Sequence, residues 1–256
     1  MQANLAVPDG DHSEGTTVTT TQDLAKQAAG RAAAQLCRDG MRLGLGSGST
    51  SHAFVRALAE RVADGLDVVG VPTSTATRDL ALSLGIRLTD LDTDPRLDLA
   101  VDGADELDPH GDMIKGGGAA LLREKIIARA AERTVILTDE SKLVPQLGRF
   151  PLPIEVLPFG WASTTRLVAE LLRGHGYEFP DPARRLKDGE LVVTDSGNHL
   201  LDIGLTAIRD AATLALELNQ IPGVVENGLF IQVADAVVVG RPDGSSELRE
   251  LHPQRR

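Results

Sequence analysis

Two spacings of apolar residues alternate along the first part of the chain. Leu24, Ala28, Ala32 and Leu36 recur every fourth position, which predicts a helix capped by Thr21 and running to about Cys37. "RLGLG" then predicts a short buried strand, "TSHAFVRALAERVADG" a helix from about Thr50, and "LDVVGVP" a second strand. A helix over "STATRDLALSLG" is closed by Gly85. A third strand over residues 97–101, a helix after "KGGG" and a fourth strand in "RTVILTDE" follow. Strand and helix alternating at this spacing imply an open α/β sheet, doubly wound, mostly parallel and covered on both faces. Ligands of such sheets bind beyond the carboxyl ends of the strands. The polar loops "GSGST", "PTST", "DGADE" and "TDESK" all fall there.

From "FPLPIEVLPFG" onward the texture changes. A strand, a helix over about 161–173, two strands around a turn in "ELVVTDSGNHLLDIG", a helix over 206–218 and "GVVENGLF" form an α+β pattern with hairpin signals. The expected organisation is a disordered tail over 1–20, a Rossmann-like domain over 21–150 plus 231–256, and a smaller α+β domain over 151–230. The apolar run in "ADAVVVGRPDG" is expected to return to the first sheet. No repeat or low-complexity linker interrupts the chain.

Charge narrows the partners. A net charge of −11 argues against nucleic acid or an anionic membrane as the main partner, while leaving room for a locally positive site that takes a small anion. No apolar run is long enough to span a bilayer, and the first residues lack a basic region and an apolar region, so no secretory signal is expected. With one cysteine, Cys37, there is no internal disulfide framework and no cysteine metal site, and the expected compartment is the cytoplasm. The histidines at 12, 52, 110, 175, 199 and 252 show no metal-ligand spacing. "DLDTDP" imitates the start of a calcium loop, but Pro95 stands where that loop requires glycine.

Three segments carry candidate chemistry. "GLGSGSTS" fails the dinucleotide fingerprint, because Ser49 replaces its third glycine, and fails the P-loop for want of Gly-Lys. It still offers backbone N–H groups and the hydroxyls of Ser47, Ser49 and Thr50 at a helix N-terminus, a setting for a phosphate monoester. A tight turn with an ordinary N-cap is the plainer reading. "DGADE" places Asp102 and Asp105 on one loop, where two carboxylates can divide acid and base roles or serve only as turn and cap residues. In "KGGGAALLREK", Lys125, Arg129 and Glu132 share a helix face expected to be solvated. Glu124 lies off it, beside Ala120, Ala128 and Ala131, with no helical salt-bridge partner. Desolvation there raises a carboxylate towards the range of a general base, although an exposed or interface glutamate is the alternative. The glycines permit close backbone approach to a ligand, and Lys115 adds a positive charge.

Taken in order, "GLGSGSTS", "VDGADELDP", "MIKGGGAALLREKIIA", "TDESKLV", "FPLPIEV", "TDSGNHLLDI" and "IPGVVENGLF" resemble the type A ribose-5-phosphate isomerases over about residues 21–242. The resemblance implies reversible interconversion of D-ribose 5-phosphate and D-ribulose 5-phosphate in the non-oxidative pentose phosphate pathway, through an enediolate, with no metal or organic cofactor. It implies Glu124 as the base, Asp102 and Asp105 on the sugar hydroxyls, and Lys115 on the developing oxyanion. Ser47, Gly48, Ser49 and Thr50 would hold the phosphate, and Lys26 and Lys142 would close around the ligand. Gly103, Ala104, Gly116, Gly117 and Gly118 are further substrate-binding positions, with Ser74 and Thr75 weaker ones. It also implies a doubly wound domain with a small inserted domain, assembled as a homodimer or homotetramer. Ser47 departs from the threonine of many relatives and keeps the hydroxyl. Two other readings compete: a non-catalytic sugar-phosphate sensor, and an enzyme acting on a different phosphorylated aldose or an amino-sugar phosphate.

Overall fold

A computed structural model describes residues 20–251. The expected tail before Thr20, with His12, and residues 252–256, with His252, lie outside the described residues. The first half runs α1 (Thr21–Ala34), β1 (Arg42–Leu45), α2 (Gly48–Ala63), β2 (Val69–Pro72), α3 (Thr75–Ser83) and β3 (Leu99–Gly103). Two short strands, β4 (Glu106–Leu107) and β5 (Met113–Ile114), precede α4 (Leu121–Ala130) and β6 (Thr134–Asp139). A 3₁₀ turn (Glu140–Lys142), β7 (Leu152–Val156) and α5 (Trp161–Gly174) follow. Next come β8 (Ala183–Arg184), β9 (Leu186–Lys187), β10 (Glu190–Leu191) and β11 (His199–Ile203). The chain ends with α6 (Ala211–Leu218), β12 (Val224–Asn227), β13 (Leu229–Phe230), β14 (Ala236–Gly240) and β15 (Ser246–Glu250).

The main sheet has the order β15-β14-β6-β3-β1-β2. All its pairs are parallel except β14–β15, so the apolar run near the end does return to the first sheet. Alternate residues of β6 and β14 enter different cores: Val135, Leu137, Ala236 and Val238 pack on the face that carries α1 and α2. Ile136, Val237 and Val239 pack on the opposite face with Leu121 and Phe230. Burial on both faces explains why these strands read as continuous apolar runs. The order reverses direction between β1 and β3, so the loops after these two strands flank a topological switch point.

A second sheet, ordered β12-β7-β11-β8, packs with α5 and α6 around its own apolar core. A third, β13-β5-β4, joins Leu229–Phe230 to Met113–Ile114, so a strand late in the chain pairs with the segment just before the glycines. With the two-stranded β10-β9 pair, three smaller antiparallel sheets thus accompany the mostly parallel one.

Several boundaries differ from expectation for local reasons. Thr20, not Thr21, caps α1, accepting from Asp23 N–H in a reciprocal capping box. That helix buries Ala25, Ala28, Ala29 and Ala33, while Leu24 is exposed, so the inward face is an alanine stripe rotated from the one expected. Strand β3 is shifted forward, because Leu97 instead bridges to Ala131. Helix α6 begins at Ala211, after Thr206 with φ 64° and a cap from Asp210. The turn expected in "ELVVTDSGNHLLDIG" is present between β10 and β11 but closed by a single antiparallel bridge, Val193 to His199. Strand β10 also turns back on β9 through Asp188 and Gly189, both at positive φ, as a two-residue Asp-Gly turn requires.

The alanine stripe lets α1 and α2 approach closely at Gly30. A Cβ there would lie 2.6 Å from Ala53 C and 2.7 Å from Phe54 N, both backbone atoms that cannot yield without moving a helix. Gly30→Ala is expected to lower stability by about 1–3 kcal/mol, read as a lower urea midpoint.

Candidate active site

The switch point forms a cleft of about 120 Å³. Its wall includes Lys26 of α1, Ser47, Gly48, Ser49 and Thr50 at the start of α2, and Gly103, Ala104 and Asp105 after β3. Lys115, Gly116, Gly118, Glu124 and Lys142 complete the set expected from sequence, with Gln22 as an unforeseen member. Asp102, which is buried, and Gly117, which is exposed, were expected in this set but do not line the cleft. Gln22 lies one turn before Lys26 on α1, and nothing in its sequence context distinguishes it from a solvated glutamine.

Helix α2 starts at Gly48, two residues earlier than expected, and its N-cap Ser47 gives no side-chain hydrogen bond to the first turn. The ordinary-cap reading therefore fails, and the first-turn N–H groups remain open towards the cleft, where the helix dipole favours an anion. The Ser47 hydroxyl faces the loop after β2, at 2.6 Å from Thr73 Oγ1 and 2.7 Å from Ser74 Oγ. Ser74 caps α3 through Thr77 N–H, and Thr77 Oγ1 donates to Gly46 O at 3.0 Å. So Ser74 and Thr75 do not join the cleft wall; the loop they belong to braces the loop between β1 and α2. Gly46 is required by close approach, since a Cβ there would overlap the Asp102 carboxylate.

The two aspartates have separate surroundings. Asp102 is buried, and its Oδ1 accepts from Ser47 N–H (3.1 Å), Ser51 Oγ (2.9 Å) and Gly103 N–H (2.8 Å). Its Oδ2 lies 3.1 Å from Lys115 Nζ. Asp105 faces the cleft, held by Gly117 N–H at 2.7 Å from Oδ2.

Lys115 and Glu124 are both buried, at 4% and 5% exposure. Lys115 Nζ donates to Gly103 O at 2.5 Å and sits 3.3 Å from Glu124 Oε2. That approach is off the hydrogen-bonding direction, so Oε2 has charge contact but no donor. Burial pulls the Lys115 ammonium down, but the carboxylates of Asp102 and Glu124 outweigh it, and its pKa is raised. Burial pushes Glu124 up to about 8 against the opposing pull of Lys115, with the Asp102 charge adding to the rise. The pull is incomplete because one ammonium serves two carboxylates, one of them fully hydrogen-bonded. The exposed-glutamate reading of Glu124 thus fails.

Its neighbour Lys125 corrects another expectation. Far from being solvated, it donates to Glu226 Oε1 (2.9 Å), Asn227 O (2.7 Å) and Leu229 O (2.9 Å), and lies 4.7 Å from the Phe230 ring centroid. It ties α4 to β12 and β13, while Arg129 and Glu132 are exposed as expected. Arg185, also unmarked in the sequence, donates to Gly116 O and Gly117 O from the second sheet. No group of His, Cys, Asp and Glu among the described residues is arranged to hold a metal ion.

A run of open N–H groups, a carboxylate at the wall and a buried carboxylate beside an ammonium are the groups a site for a small anion and proton transfer needs. The sequence model of ribose 5-phosphate isomerase A (phosphoriboisomerase A) matches residues 69–244. Ribose-5-phosphate isomerase A of Cereibacter sphaeroides is 54% identical over 230 residues, covering 90% of this chain and 88% of that protein. Ribose 5-phosphate isomerase A of Methanocaldococcus jannaschii superimposes with a TM-score of 0.82 at 39% identity, covering 90% of this chain and 100% of that one. A D-ribose-5-phosphate isomerase solved with phospho-erythronic acid gives 0.81 at 39% identity, covering 88% and 97%. The chain belongs to the ribose 5-phosphate isomerase A family.

The raised pKa of Glu124 has a consequence for stability. Between the ordinary carboxylate value of 4.5 and about 8 the folded chain keeps a proton that the unfolded chain releases. The contribution of this group is full below that window and is lost as pH rises through it. Glu124→Gln, which cannot ionise, should therefore gain stability relative to the parent on going from pH 5 to pH 9. The expected gain is on the order of a few kcal/mol in paired urea titrations.

Proposed function

We propose that Glu124 is the base that interconverts D-ribose 5-phosphate and D-ribulose 5-phosphate in this chain. The observation that carries the reading is the buried Glu124 carboxylate, lining the cleft with Oε2 free of any hydrogen-bond donor and an ammonium 3.3 Å away. With the phosphate at the open first turn of α2, Glu124 takes the proton from C2 of the open-chain aldose and returns it to C1. Lys115 offsets the oxyanion charge of the enediolate. Asp102 orients Lys115, and Asp105 is the carboxylate in reach of the sugar hydroxyls, so the pair divides into one supporting and one substrate-facing group. Lys26 and Lys142, which also line the cleft, offset the charge of the phosphate. The complex of a structural relative with phospho-erythronic acid, a phosphate on a short polyhydroxy acid, supports a cleft that takes negative charge at both ends.

Chelator-treated protein mixed with ribose 5-phosphate in deuterated water should yield ribulose 5-phosphate with deuterium at C1, followed by proton NMR. Binding without conversion would favour the sensor reading, and faster turnover of another phosphorylated aldose would favour the competing enzyme reading. Glu124→Gln should lower kcat about 10²–10⁴-fold with KM changed only a few-fold. In the parent, kcat/KM should rise with pH and level off above about 8, where the free-enzyme base is ionised, and this limb should vanish in the variant. Near-parental turnover of Glu124→Gln would remove Glu124 from the base role.

Assembly as a homodimer or homotetramer belongs to the same reading. It is supported by an apolar groove between α4 and α6, where Ile126 is 49% and Leu216 70% exposed. Light scattering should return two or four times the chain mass of 27.1 kDa.

A further inference from the structure

Arg185 lies outside the cleft yet holds part of its wall. It leaves the second sheet between β8 and β9, with its N–H donating to Leu200 O at 2.9 Å and its carbonyl accepting from Val192 N–H at 3.0 Å. Asp202 on β11 grips the guanidinium at two points, accepting from Nε at 2.7 Å and from Nη2 at 2.5 Å. This paired contact sets the plane of the fork and so the direction of the remaining arm. That arm, Nη1, donates to Gly116 O at 2.7 Å and Gly117 O at 3.1 Å.

The peptide between Gly116 and Gly117 is thereby held at both poles. Its carbonyl accepts from Arg185 and, at 3.0 Å, from Ala119 N–H, while its N–H donates to Asp105 Oδ2 at 2.7 Å. The turn is not a relaxed one: Gly116 has φ 112° and Ala119 φ 60°. A peptide between two glycines meets little steric resistance to a half-turn rotation. Rotated, it would set the Gly116 carbonyl against the Asp105 carboxylate, two acceptors with no donor between them.

We infer that Arg185, oriented by Asp202, is a positioning residue for the isomerase reaction, locking the Gly116–Gly117 peptide so that its N–H holds Asp105 in the substrate cleft. The inference rests on the reading of the cleft given above, with Asp105 facing the sugar. It gives the second sheet a part in turnover, because the contact from Arg185 runs through this peptide to the Asp105 carboxylate.

The test is a double-mutant cycle. Arg185→Ala and Asp202→Asn are made alone and in the Asp105→Asn background, with kcat, KM and the urea midpoint measured for each. Arg185→Ala should lower kcat about ten- to hundred-fold, and Asp202→Asn less in the same direction. In the Asp105→Asn background the further loss from Arg185→Ala should stay within about two-fold, since the group it acts through is already changed. Free guanidinium at millimolar concentration should restore part of the kcat of Arg185→Ala, and none in the double variant. Equal fold losses in both backgrounds, or parental kcat in folded Arg185→Ala, would overturn the inference. Should Arg185→Ala not fold, Asp202→Asn completes the same cycle. Parental kcat in Asp105→Asn alone would instead fault the assignment of Asp105, so the two failures are distinguishable.

Discussion

One buried ammonium organises the active site. Removing Lys115 from water is costly unless its charge is matched and its protons are bound. Asp102, Glu124 and the Gly103 carbonyl do this from the end of β3 and from α4, while Lys115 itself follows β5. None of these elements can shift alone without leaving a buried charge short of a partner. Asp102 is pinned in turn by donors from Ser47 after β1 and Ser51 on α2, which extends the constraint to the start of α2. Three segments distant in sequence are thus held in register by a single charge.

The same arrangement leaves Glu124 under-served, and that shortfall is its chemical value. Had Lys115 paired with Glu124 alone, the carboxylate would be held ionised and stabilised, a poor proton acceptor. Burial, only partly offset by an ammonium shared with Asp102, pushes its pKa up to about 8. The site also shows how an acidic chain handles an anionic ligand. The overall charge of −11 says little about the cleft, where lysines from α1, β5 and the 3₁₀ turn surround open helix N–H groups.

The smaller sheets carry no proposed base or phosphate ligand, yet they reach the cleft twice. Lys125 ties α4 to β12 and β13, which fixes the helix that bears Glu124. Arg185 grips the glycine turn next to Lys115. Both are long cations whose charge is satisfied by backbone carbonyls and one carboxylate each, contacts that hold a loop or helix in place without filling a core.

Much of this was legible in the chain itself. The parallel sheet was readable because strands buried on both faces must be continuously apolar, as in "TVILT" and "AVVVG". The strand-to-helix loop over 46–50 was readable because its glycines and hydroxyls answer local needs of such a turn, and the burial of Glu124 because it stands off the charged face of its own helix. What the sequence could not divide was the aspartate pair: Asp102 and Asp105 are the same residue type three positions apart, and only the fold buries one against Lys115 and turns the other to the cleft. Lys125 misled for the same reason, since its face of α4 is solvated in an isolated helix and covered once β12 and β13 arrive. Arg185 was invisible because its partners, Gly116 and Gly117, lie far along the chain and are backbone atoms, which leave no trace in residue identity. Local periodicity and turn chemistry are written into the sequence; which charge shields which, across long separations, is decided only when the sheets pack.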